Sequence, residues 1–123
     1  MEILILEDES AAARRLLKMI EKVVPEANIV GVLESVLDGI NWFNTHNMPD
    51  LMLMDIQLAD GLSFEILRKI DITCPVIFTT SYDSYKSECE KVNCIDYLLK
   101  PIKQRILVES MENFKNNYFK VSG

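Results

Sequence analysis

Five short apolar runs punctuate the chain: Ile3 to Leu6, Ile29 to Leu33, Leu51 to Met54, Val76 to Phe78 and Ile95 to Leu99. Most do not alternate with polar residues, as expected for strands buried on both faces. The segments between them carry apolar residues at helical spacing. Leu16, Ile20 and Val23 recur at i, i+4, i+7, and so do Val36, Ile40 and Phe43. Phe64 and Leu67 sit three apart, Tyr85, Cys89 and Val92 share a face, and Leu107, Met111, Phe114 and Tyr118 share another. Ser10 is the expected N-cap of the first helix, and Pro25 follows its end. Pro49 and Pro75 stand just before strands. Strand and helix alternate five times, which predicts a parallel sheet with helices on both faces and right-handed crossovers.

The chain has 123 residues, about one domain's worth, and can bury a core without disulfide or metal. No linker, repeat or charge run divides it, so residues 1–123 are expected to form one domain. The longest apolar run, Ile29 to Leu33, is far too short to span a bilayer. Met1-Glu2-Ile3 lacks the basic and apolar stretches of a signal peptide. Cys74, Cys89 and Cys94 are odd in number and form no Cys-x-x-Cys pair. That suits a reducing cytoplasm and opposes a disulfide framework or zinc site. With 13 basic and 19 acidic residues the net charge is −6, which opposes nonspecific nucleic-acid binding by this domain and favours a cation or basic partner.

In open α/β sheets, ligands bind outside the carboxyl ends of the strands. Glu7-Asp8-Glu9 follow the first strand, Asp55 ends the third, Thr79-Thr80-Ser81 end the fourth, and Lys100-Pro101 follow the fifth. If the first and third strands are neighbours, as in the order 2-1-3-4-5, the acidic run and Asp55 converge. Crowded carboxylates call for a hard cation, and Mg²⁺ fits best because it takes few protein carboxylates and shares its shell with phosphate oxygens. A lysine and a hydroxyl on the far side of Asp55 add donors for an anion. This is equipment for phosphoryl transfer, with Asp55 as nucleophile forming an acyl phosphate. Each residue alone has a plain structural reading: a solvated acidic loop, a turn-capping Asp55, a strand-filling Thr80, a Lys-Pro turn. Their joint placement at four strand ends favours function.

These stretches resemble the receiver domain of bacterial two-component response regulators over nearly the whole chain. The resemblance lies in Ile3 to Glu9, Pro49 to Gly61, Ile77 to Ser81 and Asp96 to Pro101. The runs Phe78 to Tyr85 and Ile95 to Ile102 are most similar to receivers joined to LytTR-type DNA-binding domains. The resemblance implies a five-stranded flavodoxin-like three-layer (βα)5 fold of order 2-1-3-4-5. It implies Asp55 as phosphoacceptor, with Thr80 and Lys100 engaging the phosphoryl group. Mg²⁺ would be held by Asp8, Asp55 and the backbone carbonyl of Gln57, with Glu7 acting through water. Thr80 and Tyr97 would be the switch residues, and Lys100-Pro101 the site of a cis peptide. Ala59 replaces a common proline and Ser81 a common alanine.

The expected function is a phosphorylation-activated switch that takes its phosphoryl group from a sensor histidine kinase and catalyses only its own phosphorylation and dephosphorylation. The expected homodimer face is the fourth helix, fifth strand and fifth helix. DNA would be reached only through an output domain beyond this chain, and no membrane is involved. An aspartyl-phosphate phosphatase of the haloacid-dehalogenase type would need an aspartate where Gln57 stands. A flavodoxin-like cofactor binder would need a phosphate-cradling loop where Glu7-Asp8-Glu9 stand. An unphosphorylated interaction module would have no use for the full set of Asp8, Asp55, Thr80 and Lys100. His46, in the polar stretch Asn44 to Asn47, is expected to be solvated and chemically idle. Trp42 and Phe43 are expected to pack a helix, and the cysteines to be buried small hydrophobes.

Overall fold

The computed structural model describes residues 1–119. Strands β1 (Glu2–Leu6), β2 (Asn28–Leu33) and β3 (Leu51–Asp55) alternate with helices α1 (Ser10–Val23) and α2 (Val36–Thr45). A small hairpin follows, β4 (Gln57–Leu58) with β5 (Gly61–Leu62), leading into α3 (Phe64–Lys69). Then come β6 (Val76–Thr80), α4 (Lys86–Cys89), β7 (Cys94–Leu99) and α5 (Gln104–Asn117). The main sheet is parallel throughout, in the order β2-β1-β3-β6-β7. With the hairpin set aside, this is the expected 2-1-3-4-5 order.

The period of two along each strand sorts its side chains onto two faces. Leu4, Leu6, Met52, Met54 and Phe78 pack with Trp42 of α2, Ile66 of α3 and Cys89 of α4. Ile3, Ile5, Leu51, Leu53 and Ile77 pack with Leu16 and Ile20 of α1 and Leu107, Met111 and Phe114 of α5. The three central strands are buried on both faces, which is why their sequences do not alternate; the edge strands β2 and β7 are mostly half-buried. Each fully buried Leu, Ile or Phe contributes about 1.5–3 kcal/mol of transfer free energy.

Several local expectations are corrected. Glu9, not Ser10, is the N-cap of α1: the Ala13 N–H bonds the Glu9 carbonyl at 3.0 Å, so Ser10 is already helical and its hydroxyl caps nothing. The fourth helix is a single turn. Tyr85 is its N-cap, and Val92 lies in the turn beyond it, where short-range bonds from Lys91 to Glu88, Val92 to Cys89 and Cys94 to Val92 steer the chain into β7. The stripe on α5 ends at Phe114, because Tyr118 is an exposed C-cap. His46 is not merely solvated. It is the C-cap of α2, its ring stacks on Trp42 at 4.3 Å between centroids, and its Nδ1 lies 2.9 Å from the Trp42 carbonyl. Lys120 to Gly123, at the end of the expected domain, lie outside the described residues.

The start of α2 is capped twice. Ser35 Oγ accepts the Asp38 N–H at 3.0 Å. Asp60, from the turn between β4 and β5, accepts the N–H groups of Val36 at 2.7 Å and Leu37 at 3.1 Å. Gly61 follows that turn at φ +148°, a conformation other residues rarely adopt.

Gly39 lets α2 lie close over Leu6 and α3. A Cβ there would come within 2.7 Å of Ile66 Cδ1 and 3.1 Å of Leu6 Cδ2. Alanine would gain about 1 kcal/mol of helix propensity, but overpacking costs about 1–3 kcal/mol. Urea denaturation should therefore find Gly39→Ala less stable than wild type. Adding Ile66→Val, which removes the clashing methyl, should recover part of the loss. A single variant more stable than wild type would mean that propensity outweighs packing.

Candidate functional site

The parallel register aligns the carboxyl ends of four strands. Leu6 pairs with Met54, Asp55 with Thr79, and Thr80 with Leu99. The residues next in line therefore share one rim. The Glu7 N–H bonds the Leu33 carbonyl at 2.8 Å, which carries Glu7 one step past β1 while keeping it buried. Asp8 and Glu9 then turn into solvent. On the other side, the Lys100 N–H bonds the Thr80 carbonyl at 2.8 Å. The Lys100–Pro101 peptide is cis.

Glu7 and Asp55 are only 4% and 6% exposed, so neither carboxylate has the water that ordinarily stabilises its charge. Lys100 compensates. Its Nζ donates to Asp55 Oδ2 at 2.8 Å and also to Glu7 Oε1. The other Asp55 oxygen accepts the Gln57 N–H at 3.2 Å. Burial works against the ammonium, but hydrogen bonds to Asp55 and Glu7 and their charges outweigh it and hold the Lys100 pKa above its ordinary value. Carboxylate oxygens of Glu7, Asp8 and Asp55 all lie within 4.8 Å of one another. Three carboxylates against one ammonium leave an excess of negative charge on hard oxygen donors, a set suited to a small divalent cation. A cavity of about 320 Å³ opens beside this cluster, between α1 and the β7–α5 connection, lined in part by Glu7, Arg15, Met19, Lys100, Pro101 and Ile102.

Glu7, Asp8, Asp55 and Lys100 are thus brought together. Gln57 is attached through its backbone, while its side-chain amide donates to the Tyr85 hydroxyl at 3.3 Å. Thr80 and Tyr97 meet elsewhere, on the backbone of Tyr82. Thr80 Oγ1 accepts the Tyr82 N–H at 3.2 Å, and the Tyr97 hydroxyl donates to the Tyr82 carbonyl. Sequence reasoning missed Tyr82, which acts through its peptide and has no side-chain signature. It also missed the hairpin and the Asp60 cap, although an Asp-Gly pair between short apolar segments is a hairpin signal. The cysteines take no part. Burial pushes the Cys74 and Cys89 thiols up to about 12, and raises half-buried Cys94 as well.

A doubly wound parallel sheet with paired acids after its first strand, an aspartate ending the third and a lysine after the last defines a receiver domain. The profile of the response regulator receiver domain matches residues 3–112, and the chain belongs to that family. Among curated relatives, the sensory transduction protein LytT of Bacillus anthracis is 31% identical over 118 residues, 94% of this chain and 47% of that protein. This bears out the LytTR-type resemblance. The chain spans about half the length of the curated relatives it matches. Among solved structures, the response regulatory domain of mrkE from Klebsiella pneumoniae aligns with a TM-score of 0.81 at 25% identity, covering 96% of this chain and 98% of that one. The receiver domain of a modulated diguanylate cyclase from Desulfovibrio desulfuricans G20 aligns with a TM-score of 0.74 at 28% identity, covering 90% of each chain. No helix among the described residues is long and apolar enough to cross a membrane.

The Lys100 geometry makes a stability prediction. Lys100→Met keeps the aliphatic stem but leaves Glu7 and Asp55 facing each other without their cation. Breaking a fully buried pair costs about 3–5 kcal/mol. The Lys100 side chain is 21% exposed, so a loss of about 2 kcal/mol at pH 7.5 is expected by urea denaturation. Because the folded pKa of Lys100 is raised, its contribution is complete below the ordinary value of 10.5 and is lost as pH rises through the higher folded value. The gap between wild type and variant should therefore close at strongly alkaline pH. A gap that stays constant would mean that the methionine fails for reasons of packing.

Proposed function

We propose that Asp55 is the phosphoacceptor of a signalling switch, charged by the phosphohistidine of a sensor histidine kinase. What chiefly supports this is the state of Asp55. It is a nearly buried carboxylate bonded to Lys100 through one oxygen and to a backbone N–H through the other, at the rim where three more strand ends converge. A carboxylate oxygen of Asp55 attacks phosphorus. The new O–P bond forms as the P–N bond breaks, and the imidazole leaves with the electron pair and keeps or gains its ring proton. Lys100 already pairs with Asp55, so its ammonium is in place to take a phosphoryl oxygen as charge builds there. The Thr80 hydroxyl accepts from the Tyr82 N–H and still has its own proton to donate. In turning toward the phosphoryl group it gives up Tyr82, whose carbonyl is the acceptor for Tyr97.

Asp8, Asp55 and the Gln57 carbonyl are the residues that would hold Mg²⁺, with Glu7 contributing through solvent. The acidic excess of the cluster fits that ion. When bound, Mg²⁺ supplies positive charge that offsets the repulsion between carboxylate and phosphoryl oxygens. The domain catalyses only its own phosphorylation and dephosphorylation, within the cytoplasm. It passes the signal through the face of α4, β7 and α5, by dimerisation or contact with an output domain. The kinship with LytT supports one receiver domain over residues 1–123 that acts with a DNA-binding output domain, with transcription as the output.

Two experiments test this. With Mg²⁺ and acetyl phosphate, intact-mass measurement should find one added phosphoryl group on wild type and none on Asp55→Asn, and EDTA should block the gain. A variant that still gains the full mass would move the site elsewhere. For the switch, beryllofluoride stands in for the phosphoryl group on Asp55. It should shift amide resonances across residues 84 to 118 in wild type and much less in Thr80→Ala or Tyr97→Ala. The double variant should be little worse than either, because both act on one coupled step. A full response from Thr80→Ala would reduce that threonine to strand filler.

A further inference from the structure

The proposed Mg²⁺ site uses the Gln57 carbonyl, so what fixes Gln57 beside Asp55 matters to it. Gln57 belongs to no long strand. It opens a two-stranded hairpin that leaves the sheet directly after Asp55. The root of the hairpin is tied down, with the Ile56 N–H on the Thr79 carbonyl at 3.1 Å and the Ser63 N–H on the Ile56 carbonyl at 2.8 Å. At its tip stands Asp60. Both Asp60 oxygens reach across to α2, one to the Val36 N–H at 2.7 Å and one to the Leu37 N–H at 3.1 Å. The Val36 bond is the leading cause that holds the Asp60 carboxyl below its ordinary pKa, against an opposing effect of burial. The carboxylate thus engages the helix as an anion accepting two backbone donors at the positive end of a helix dipole.

We propose that Asp60 is a positioning residue for metal binding, clamping the β4–β5 hairpin to α2 so that the Gln57 carbonyl is held in place before the cation arrives. This rests on the Mg²⁺ reading. Ser35 caps the same helix end through the Asp38 N–H instead of through the hairpin, so the structure supplies its own control. Without the clamp, the hairpin must be ordered by the metal itself, and the apparent affinity falls by the fraction of molecules that remain competent.

The test is Mg²⁺ titration calorimetry on wild type, Asp60→Ala, Asp60→Asn and Ser35→Ala, with thermal melts and amide exchange of Gln57 in metal-free protein. Asp60→Ala should weaken Mg²⁺ binding by about three- to tenfold and speed Gln57 exchange. Asp60→Asn keeps one acceptor oxygen and should fall between alanine and wild type. Ser35→Ala should lower the melting temperature but leave the Mg²⁺ affinity unchanged. Should the alanine variant not fold, the asparagine and Ser35 variants make the same comparison. If the Asp60 variants melt earlier yet bind Mg²⁺ like wild type, Asp60 merely caps α2 and the proposal is wrong. Equal losses from asparagine and alanine would assign the effect to charge instead of the clamp, and would also overturn it. A wild-type chain that binds no Mg²⁺ would instead overturn the metal reading itself, and this inference with it.

Discussion

One ammonium group holds the working end of this molecule together. Folding drives Glu7 and Asp55 out of water because Glu7 follows the buried run Ile3 to Leu6 and Asp55 ends the buried run of β3. Two desolvated carboxylates side by side would be strongly unfavourable. Lys100 reaches both from the far side of the sheet, 93 residues along the chain from Glu7. The pair is therefore a long-range contact whose formation requires β1, β3, β6 and β7 to be in register. It also leaves the cluster incompletely neutralised, since Asp8 adds a third carboxylate. The resting site is balanced well enough to fold, and its residual negative charge suits a small divalent cation.

The parallel topology is what makes such a rim possible. Parallel strands start at one edge of the sheet and end at the other, so residues distant in sequence that happen to end strands become neighbours. Connections at that edge are free to carry function because the sheet beneath is held by apolar packing on both faces. The edge is not uniform, however. The β3–α3 connection is folded into its own hairpin and bonded to α2, whereas the β6–α4 connection runs into a single helical turn. One side of the site is braced, and the other rests on few bonds.

That contrast also explains what could be read from the residues alone. The β1, β3 and β6 runs were legible because burial on both faces leaves an unbroken apolar signature, and the site was legible because its carboxylates sit at the ends of the first two and Lys100 follows the last strand. α1 and α5 were legible in outline because a long amphipathic helix repeats its stripe several times. α4 was not. Tyr85, Cys89 and Val92 have helical spacing, but one buried residue cannot sustain a helix against the exposed Lys86, Glu88, Glu90 and Lys91 around it. The Asp60 cap and the Tyr82 peptide escaped notice for a different reason. Asp60 bonds backbone N–H groups 23 and 24 residues away, and Tyr82 offers only its own backbone to the Thr80 and Tyr97 hydroxyls; periodicity carries no information about such partners.

The lightly held side is where a small chemical change can have a large effect. In the proposed switch, phosphorylation of Asp55 recruits the Thr80 hydroxyl, and a charge-assisted hydrogen bond of that kind is worth about 1.5–3 kcal/mol net. Moving a two-state equilibrium from 1:99 to 99:1 takes about 5.5 kcal/mol. One hydroxyl cannot overturn a rigid structure at that scale. It can do so only where the resting arrangement is already close in energy to the alternative. The β6–α4 segment is the lightly held part that such a switch would use: the Tyr82 N–H is held by the Thr80 hydroxyl, its carbonyl by Tyr97, and the helix after it is one turn long. Withdrawing Thr80 would remove one of those two bonds directly and leave the Tyr97 acceptor on a less firmly held residue. In the proposed switch the short α4 would therefore be part of the device, because a longer, well-packed helix in its place would raise the energy gap beyond what a single phosphoryl contact can close.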